Sequence, residues 1–142
     1  MKNSITRKYN GIDITIGAYK GVACYKWGGW VYKHKIVVEC NGKKANFTFY
    51  NSRMAFSKGQ QYLLESDLIG AFECIIDDAI AFENSLSVVD FLNEFGYDKD
   101  TMAEGKRAFY GCMKTCTKLN ELGISAQDIF DISNYLRDEI NN

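Results

Sequence analysis

Near residue 60 the hydrophobic period of this chain of 142 residues lengthens from two to that of an α-helix, and no other feature restricts its fold as strongly. Before that point, "GIDITIGAY" sets Ile12, Ile14 and Ile16 against Asp13 and Thr15, the alternation of a half-buried strand. "WVYKHKIVVEC" follows as a longer β-rich run. Asn41-Gly42 then separates it from "KANFTFY", in which Ala45, Phe47 and Phe49 alternate with Lys44, Asn46 and Thr48. Asn-Gly suits the two left-handed positions of a tight hairpin turn. The reading is an N-terminal antiparallel meander of three strands.

Beyond residue 60 the apolar residues fall on helical stripes. In "SDLIGAFECIIDDAIAFE" the stripe is Leu68, Phe72, Ile75, Ala79 and Phe82, with Ser66 as N-cap. "SVVDFLNEFG" pairs Ser87 with Asp90 at capping-box spacing and ends on Gly96. A third segment opens with Thr101 and Glu104, carries Met102, Phe109, Cys112, Cys116 and Leu119, and stops at Gly123. The last opens with Ser125 and Asp128 and carries Ile129, Ile132, Leu136 and Ile140. Strands followed by helices predict an α+β fold with three or four helices packed on one face of the sheet. Residues 1–142 read as a single domain with a basic, β-rich part over 1–61 and an acidic, helical part over 62–142.

The charge is divided in the same way. Residues 1–61 hold eleven Lys/Arg against two acids, a net of +9, and residues 62–142 hold six against sixteen, a net of −10. Such a division predicts two faces with different partners, or a dipolar molecule that pairs with itself as a homodimer or head to tail. The alternative is compensation within one fold. With 46% hydrophobic and 25% charged residues the composition is that of a globular protein. No basic-then-apolar leader opens the chain and no apolar run is long enough to span a bilayer, so the expectation is a cytoplasmic protein of a bacterial host cell, with no membrane partner. Five cysteines in that compartment read as reduced, mostly buried thiols.

Catalytic signatures are missing. His34 is the sole histidine, and no G-x-S-x-G, P-loop, G-x-G-x-x-G or H-E-x-x-H pattern accompanies it. It reads as an ordinary strand histidine, and the chain as no enzyme, with no catalytic residue and no cofactor. Cys112 and Cys116 share a helix face but coincide with its apolar stripe, so core thiols are preferred to a metal site. Asp77 and Asp78 are helical neighbours whose side chains diverge by about 100°. They and the acids between Asp90 and Glu104, among them Asp98 and Asp100, read either as helix-start and solvated charges or as a surface imitating nucleic-acid phosphates.

"CYKWGGWVYKHK" carries the most pointed functional signal. Tyr25, Trp27, Trp30 and Tyr32 are interleaved with lysines, including Lys33 and Lys35, around a Gly-Gly pair. Rings that stack bases and ammonium groups that follow phosphates are what single-stranded nucleic acid requires. Trp and Tyr also dominate protein-binding hot spots. At least one of the two tryptophans is expected to serve the core.

The run "DLIGAFECIIDDAIAFENSLSVVDFLNEFGYDKDTMAEGKRAFYGCMKTCTKLNEL", and within it "FLNEFGYD" and "GKRAFYGCMK", together with the earlier "FTFYNS", resembles small uncharacterised accessory proteins of phages and prophages of Gram-positive gut bacteria. That resemblance implies a mobile-element protein, several of whose kind act as anti-CRISPR or other anti-defence inhibitors. The leading expectation is therefore a non-enzymatic inhibitor that binds a nucleic-acid-handling bacterial defence protein, such as a CRISPR effector. Its contacts would be Trp27 and Trp30 as anchors, or Asp77, Asp78, Asp98 and Asp100 as phosphate mimics. A nucleic-acid-binding module built on the basic aromatic sheet, and a sponge for a nucleotide signal, are the alternatives.

Overall fold

A computed structural model describes residues 3–51 and 61–141, and within them a five-stranded antiparallel sheet precedes four helices. The strands are β1 (Asn3–Tyr9), β2 (Ile12–Ala18), β3 (Val22–Lys26), β4 (Gly29–Cys40) and β5 (Lys43–Asn51). β4 is the axis of the sheet. β5 pairs along one edge, while β2 and β3 share the other in tandem, opposite Ile36–Glu39 and Gly29–Lys33 respectively. β2 and β3 are thus one ribbon interrupted at Tyr19–Gly21, and β1 pairs outside β2.

The α+β class and the order of strands before helices are as the periodicity predicts, but the sheet is larger than three strands. β1 and β3 are the additions. Each belongs to a two-residue hairpin whose turn takes positive φ twice, Asn10-Gly11 (51° and 80°) for β1 and Trp27-Gly28 (56° and 79°) for β3, as Asn41-Gly42 (56° and 76°) does between β4 and β5. These are the angles of a type I′ turn, whose twist matches that of the flanking strands.

The helices are α1 (Glu65–Glu83), α2 (Val88–Glu94), α3 (Met102–Glu121) and α4 (Ala126–Asn141). One core joins them to the sheet: Ile14, Ile16, Ile36, Val38 and Phe47 from the strands meet Leu68, Phe72, Ile76, Leu119, Ile129 and Ile132. The stripes hold at their centres and fail at their ends, for Met102 and Ile140 are exposed. The caps divide similarly. Ser125 and Asp128 form the reciprocal box at the start of α4, Asp128 N–H donating to Ser125 Oγ (3.1 Å) and Ser125 N–H to Asp128 Oδ2 (2.9 Å). Ser87 accepts from Asp90 N–H at 3.1 Å. Ser66 is no cap, because α1 begins one residue earlier and Asp67 accepts from Leu64 N–H instead (3.1 Å). Among the described residues no helix is long and apolar enough to cross a membrane.

Candidate binding surface

Alternation along the strands gives the sheet two unlike faces. Residues 34, 36, 38 and 40 of β4, with their partners Phe49, Phe47, Ala45 and Lys43 on β5, face the helical layer. The opposite face carries Lys33, Lys35 and Glu39 of β4, Lys44, Thr48 and Tyr50 of β5, Lys26 of β3, and Thr6, Lys8, Asp13 and Thr15 of β1 and β2. None of these belongs to the core shared with the helices. Five lysines therefore stand on this open face against two acids, one of which, Asp13, is 3.4 Å from Lys8.

The β3–β4 hairpin explains the Gly-Gly pair between the tryptophans. Gly28 supplies the second left-handed position of the turn, which a Cβ would strain. Gly29 has ordinary φ and open space where a Cβ would lie, so its contribution is a bare patch at the start of β4, opposite Lys26 of β3. Across that patch Trp27 meets Tyr50 edge-on, with ring centroids 5.4 Å apart, and Lys26 Nζ lies 4.5 Å from the Tyr50 ring and 5.0 Å from that of Trp27. Lys35 sits likewise over Tyr19 at 5.0 Å. Each ring holds an ammonium group against its electron-rich face, which spaces the lysines without neutralising them. Trp27 itself is 71% exposed.

Trp27 and Trp30 do not form one aromatic platform. Trp30 stands on the helix-side face opposite Tyr25, whose ring meets it edge-on at 5.6 Å. The helices leave both rings uncovered, Tyr25 at 66% and Trp30 at 50% exposure, so neither tryptophan is a core residue. Tyr32, on the same face and half-buried, lies beside His34, their ring centroids 6.4 Å apart. His34 is wholly buried beneath the bend between β2 and β3. Its Nδ1 is 3.0 Å from the Tyr19 carbonyl, which can only accept, so Nδ1 donates, and Nε2 has no hydrogen-bond partner among the described residues. A Cβ at Gly21 would come within 2.7 Å of that ring, which is why the bend holds a glycine.

The acids lie elsewhere and are not brought together. Asp77 and Asp78 of α1 are exposed and line a groove of ≈ 580 Å³ between α1, α2 and α3, shared with Asp90, Glu94, Phe91, Phe95 and Tyr97. Desolvation by the packed helices pushes both carboxyls of the α1 pair above the usual carboxylate range; Arg137 opposes this at Asp77, and Asp77 adds to it at Asp78. Asp98 has a structural task. Its Oδ1 accepts from Asp100 N–H (2.9 Å), Thr101 N–H (3.1 Å) and the Thr101 hydroxyl (3.2 Å), which closes the turn into α3. Those bonds hold its carboxyl below the ordinary value of 3.8. Asp100 lies in the same turn with its side chain exposed.

Thiol chemistry is muted. Of the five free cysteines only Cys40 and Cys116 are buried, fewer than expected, and Cys74 is exposed. Burial, aided by the bond to Glu83 (3.0 Å), pushes the Cys116 thiol up to about 12, and burial first, then Asp78, takes Cys112 to about 11. Both stay protonated at neutral pH and are poor nucleophiles and ligands. Among the described residues no cluster of three or more His, Cys, Asp or Glu is arranged to hold a metal. Tyr19 and Tyr50 are the aromatic contributors to the open face that lie outside the motif "CYKWGGWVYKHK"; the alternation of "KANFTFY" already puts Tyr50 beside Lys44 and Thr48. Comparison with protein-family models, with curated proteins and with solved structures finds no match, so the chemistry of this surface rests on its own residues.

Proposed function

We propose that the protein is a non-enzymatic binding module that takes single-stranded nucleic acid on the open face of its sheet. The observation that carries this reading is the placement of Lys26, Lys33, Lys35 and Lys44 on one face with the rings of Tyr19, Trp27 and Tyr50. Lysines on adjacent strands can follow a phosphate chain, and an exposed indole at the end of the row can stack a base, which contributes about 1–3 kcal/mol. The test is fluorescence anisotropy with a labelled oligothymidylate and a labelled duplex across a salt series. Neutralising three or four phosphates predicts a slope of log K against log salt of about −2 to −3 for the single strand. Lys33→Glu with Lys35→Glu removes two of those contacts, so affinity falls at least tenfold and the slope flattens. No binding at low salt, or binding indifferent to that double substitution, overturns the reading.

The pair Tyr25–Trp30 favours a second reading, a protein target. Exposed, rigid aromatics outside any core have the composition of a hot spot. With the likeness to phage accessory proteins, it supports an inhibitor that binds a bacterial defence protein such as a guide-loaded CRISPR effector. On this reading Trp30→Ala abolishes retention of the effector on the immobilised protein, while Lys33→Glu with Lys35→Glu leaves it in place.

A further inference from the structure

The groove between α1, α2 and α3 is lined by the rings of Phe91, Phe95 and Tyr97 and by the carboxylates of Asp78, Asp90 and Glu94, and no Lys or Arg is among its described lining residues. Its chemistry complements the Trp27 hairpin, where an indole exposed over 71% of its surface sits beside Lys26, with Lys33 a little way along the same open face. We infer that the protein associates with itself head to tail, the Trp27 hairpin of one copy entering the acidic, aromatic groove of the next.

Three observations converge on a second copy as the occupant. The two surfaces belong to the oppositely charged parts of one chain, +9 over residues 1–61 and −10 over residues 62–142, so each copy offers both halves of the contact. Its formal net charge of −1 leaves little overall repulsion to oppose association. An aromatic ring with a flanking ammonium group fits a pocket of rings with a carboxylate rim, because the rings exclude water around the charge pairs and the lysine can lie over a ring face. The carboxyls of Asp77 and Asp78, held above their usual range in the free chain, are the groups an incoming cation would relieve. A tip-to-groove contact is heterologous: it leaves one tip and one groove free at the ends of any short assembly, so growth continues until a ring closes.

The inference does not depend on nucleic acid and is tested on the protein alone. Sedimentation velocity of the full chain over a concentration series is expected to show mass that rises with concentration and falls as salt shortens the reach of the charges. Lys26→Glu with Lys33→Glu, and separately Asp78→Lys with Glu94→Lys, should each sediment as monomer where the unaltered chain associates. An equimolar mixture of the two variants restores one contact with its native charges and the other with charges exchanged, and should associate again. Trp27→Asn, which puts at this turn position the residue that the two equivalent turns carry, is a further variant, and it too should remain monomeric. A monomer at every concentration, association undiminished in either charge variant, or a mixture that fails to re-associate overturns the inference. An added oligothymidylate that dissolves the assemblies would show that both ligands use the hairpin, whereas assembly without oligonucleotide binding leaves the inference standing and removes the nucleic-acid reading.

Discussion

Trp27 is the residue at which sequence, strain and use meet. Its φ of 56° lies in the left-handed region, where the two equivalent turns place Asn10 and Asn41. A side chain there crowds the following carbonyl by about 1–2 kcal/mol, and asparagine escapes much of this through local hydrogen bonding. Both asparagines also hold their turns to the helices, Asn10 Nδ2 donating to Asp131 (3.0 Å) and Asn41 Nδ2 to the Leu122 carbonyl (2.9 Å). Among the described residues, Tyr50 and Lys26 lie against the Trp27 ring. On the proposed function, a strained residue at an exposed tip serves binding rather than the fold. Trp27→Asn is therefore expected to stabilise the fold by about 1 kcal/mol, a rise in Tm of about 3 °C, while it weakens oligonucleotide binding. Thermal melts and anisotropy on the same preparation check both signs; a drop in Tm would mean that the indole serves the fold.

At the scale of elements, helices were legible in the sequence because stripes and caps are local. Ser125 with Asp128 and Gly123 sit where their spacing puts them. The sheet was less legible. Asn10-Gly11 carries the same signal as Asn41-Gly42, but the Thr6, Arg7 and Lys8 stretch of β1 lacks apolar alternation, because Arg7 faces the helices through ion pairs with Glu65 and Glu139. The turn at Trp27-Gly28 could not be recognised from residue type, since indole is foreign to that position. Which face each aromatic takes depends on register, and that hid the separation of Trp27 from Trp30. The turn from α2 into α3 shows the same limit: Thr101 and Glu104 have capping-box spacing, yet Asp98 organises the helix start. Its carboxyl is held below 3.8 first by the Asp100 N–H, then by Thr101. The unfolded chain thus binds this proton more readily, so the contribution is complete above the ordinary carboxylate value and is lost as pH falls through the lowered, folded one. Asp98→Ala should lower Tm at pH 7, and the gap to the unaltered chain should narrow as the solution is acidified below that ordinary value. A gap constant with pH would assign the loss to something other than the carboxylate.

For the molecule as a whole, the question is what keeps a basic sheet in register with an acidic helical layer. General attraction between the layers is diffuse and screened, and it fixes no geometry. Besides the bonds from Asn10 and Asn41, a charged junction ties the outer strand to the helices. Glu139 of α4 accepts from the Tyr9 hydroxyl at 2.7 Å and from Arg7 Nε at 2.8 Å, and Arg7 also reaches Glu65 of α1. Tyr9 is almost wholly buried, stacked on Phe72 at 5.9 Å. Burial and then the Glu139 bond push its hydroxyl well above the ordinary value, so it stays a donor. Removal of the acceptor would leave that hydroxyl buried without a partner, and a hydrogen bond to a charged group contributes about 1.5–3 kcal/mol. Glu139→Ala is expected to destabilise the fold by about 2–3 kcal/mol, a fall in Tm of about 6–10 °C. Glu139→Gln keeps an acceptor for Tyr9 and should lose roughly half as much. The decisive comparison is a double-mutant cycle with Tyr9→Phe: if the clasp acts as one unit, the second substitution costs little once Glu139 is gone. Additive losses would mean that the two side chains act independently, Tyr9 through the core and Glu139 through Arg7.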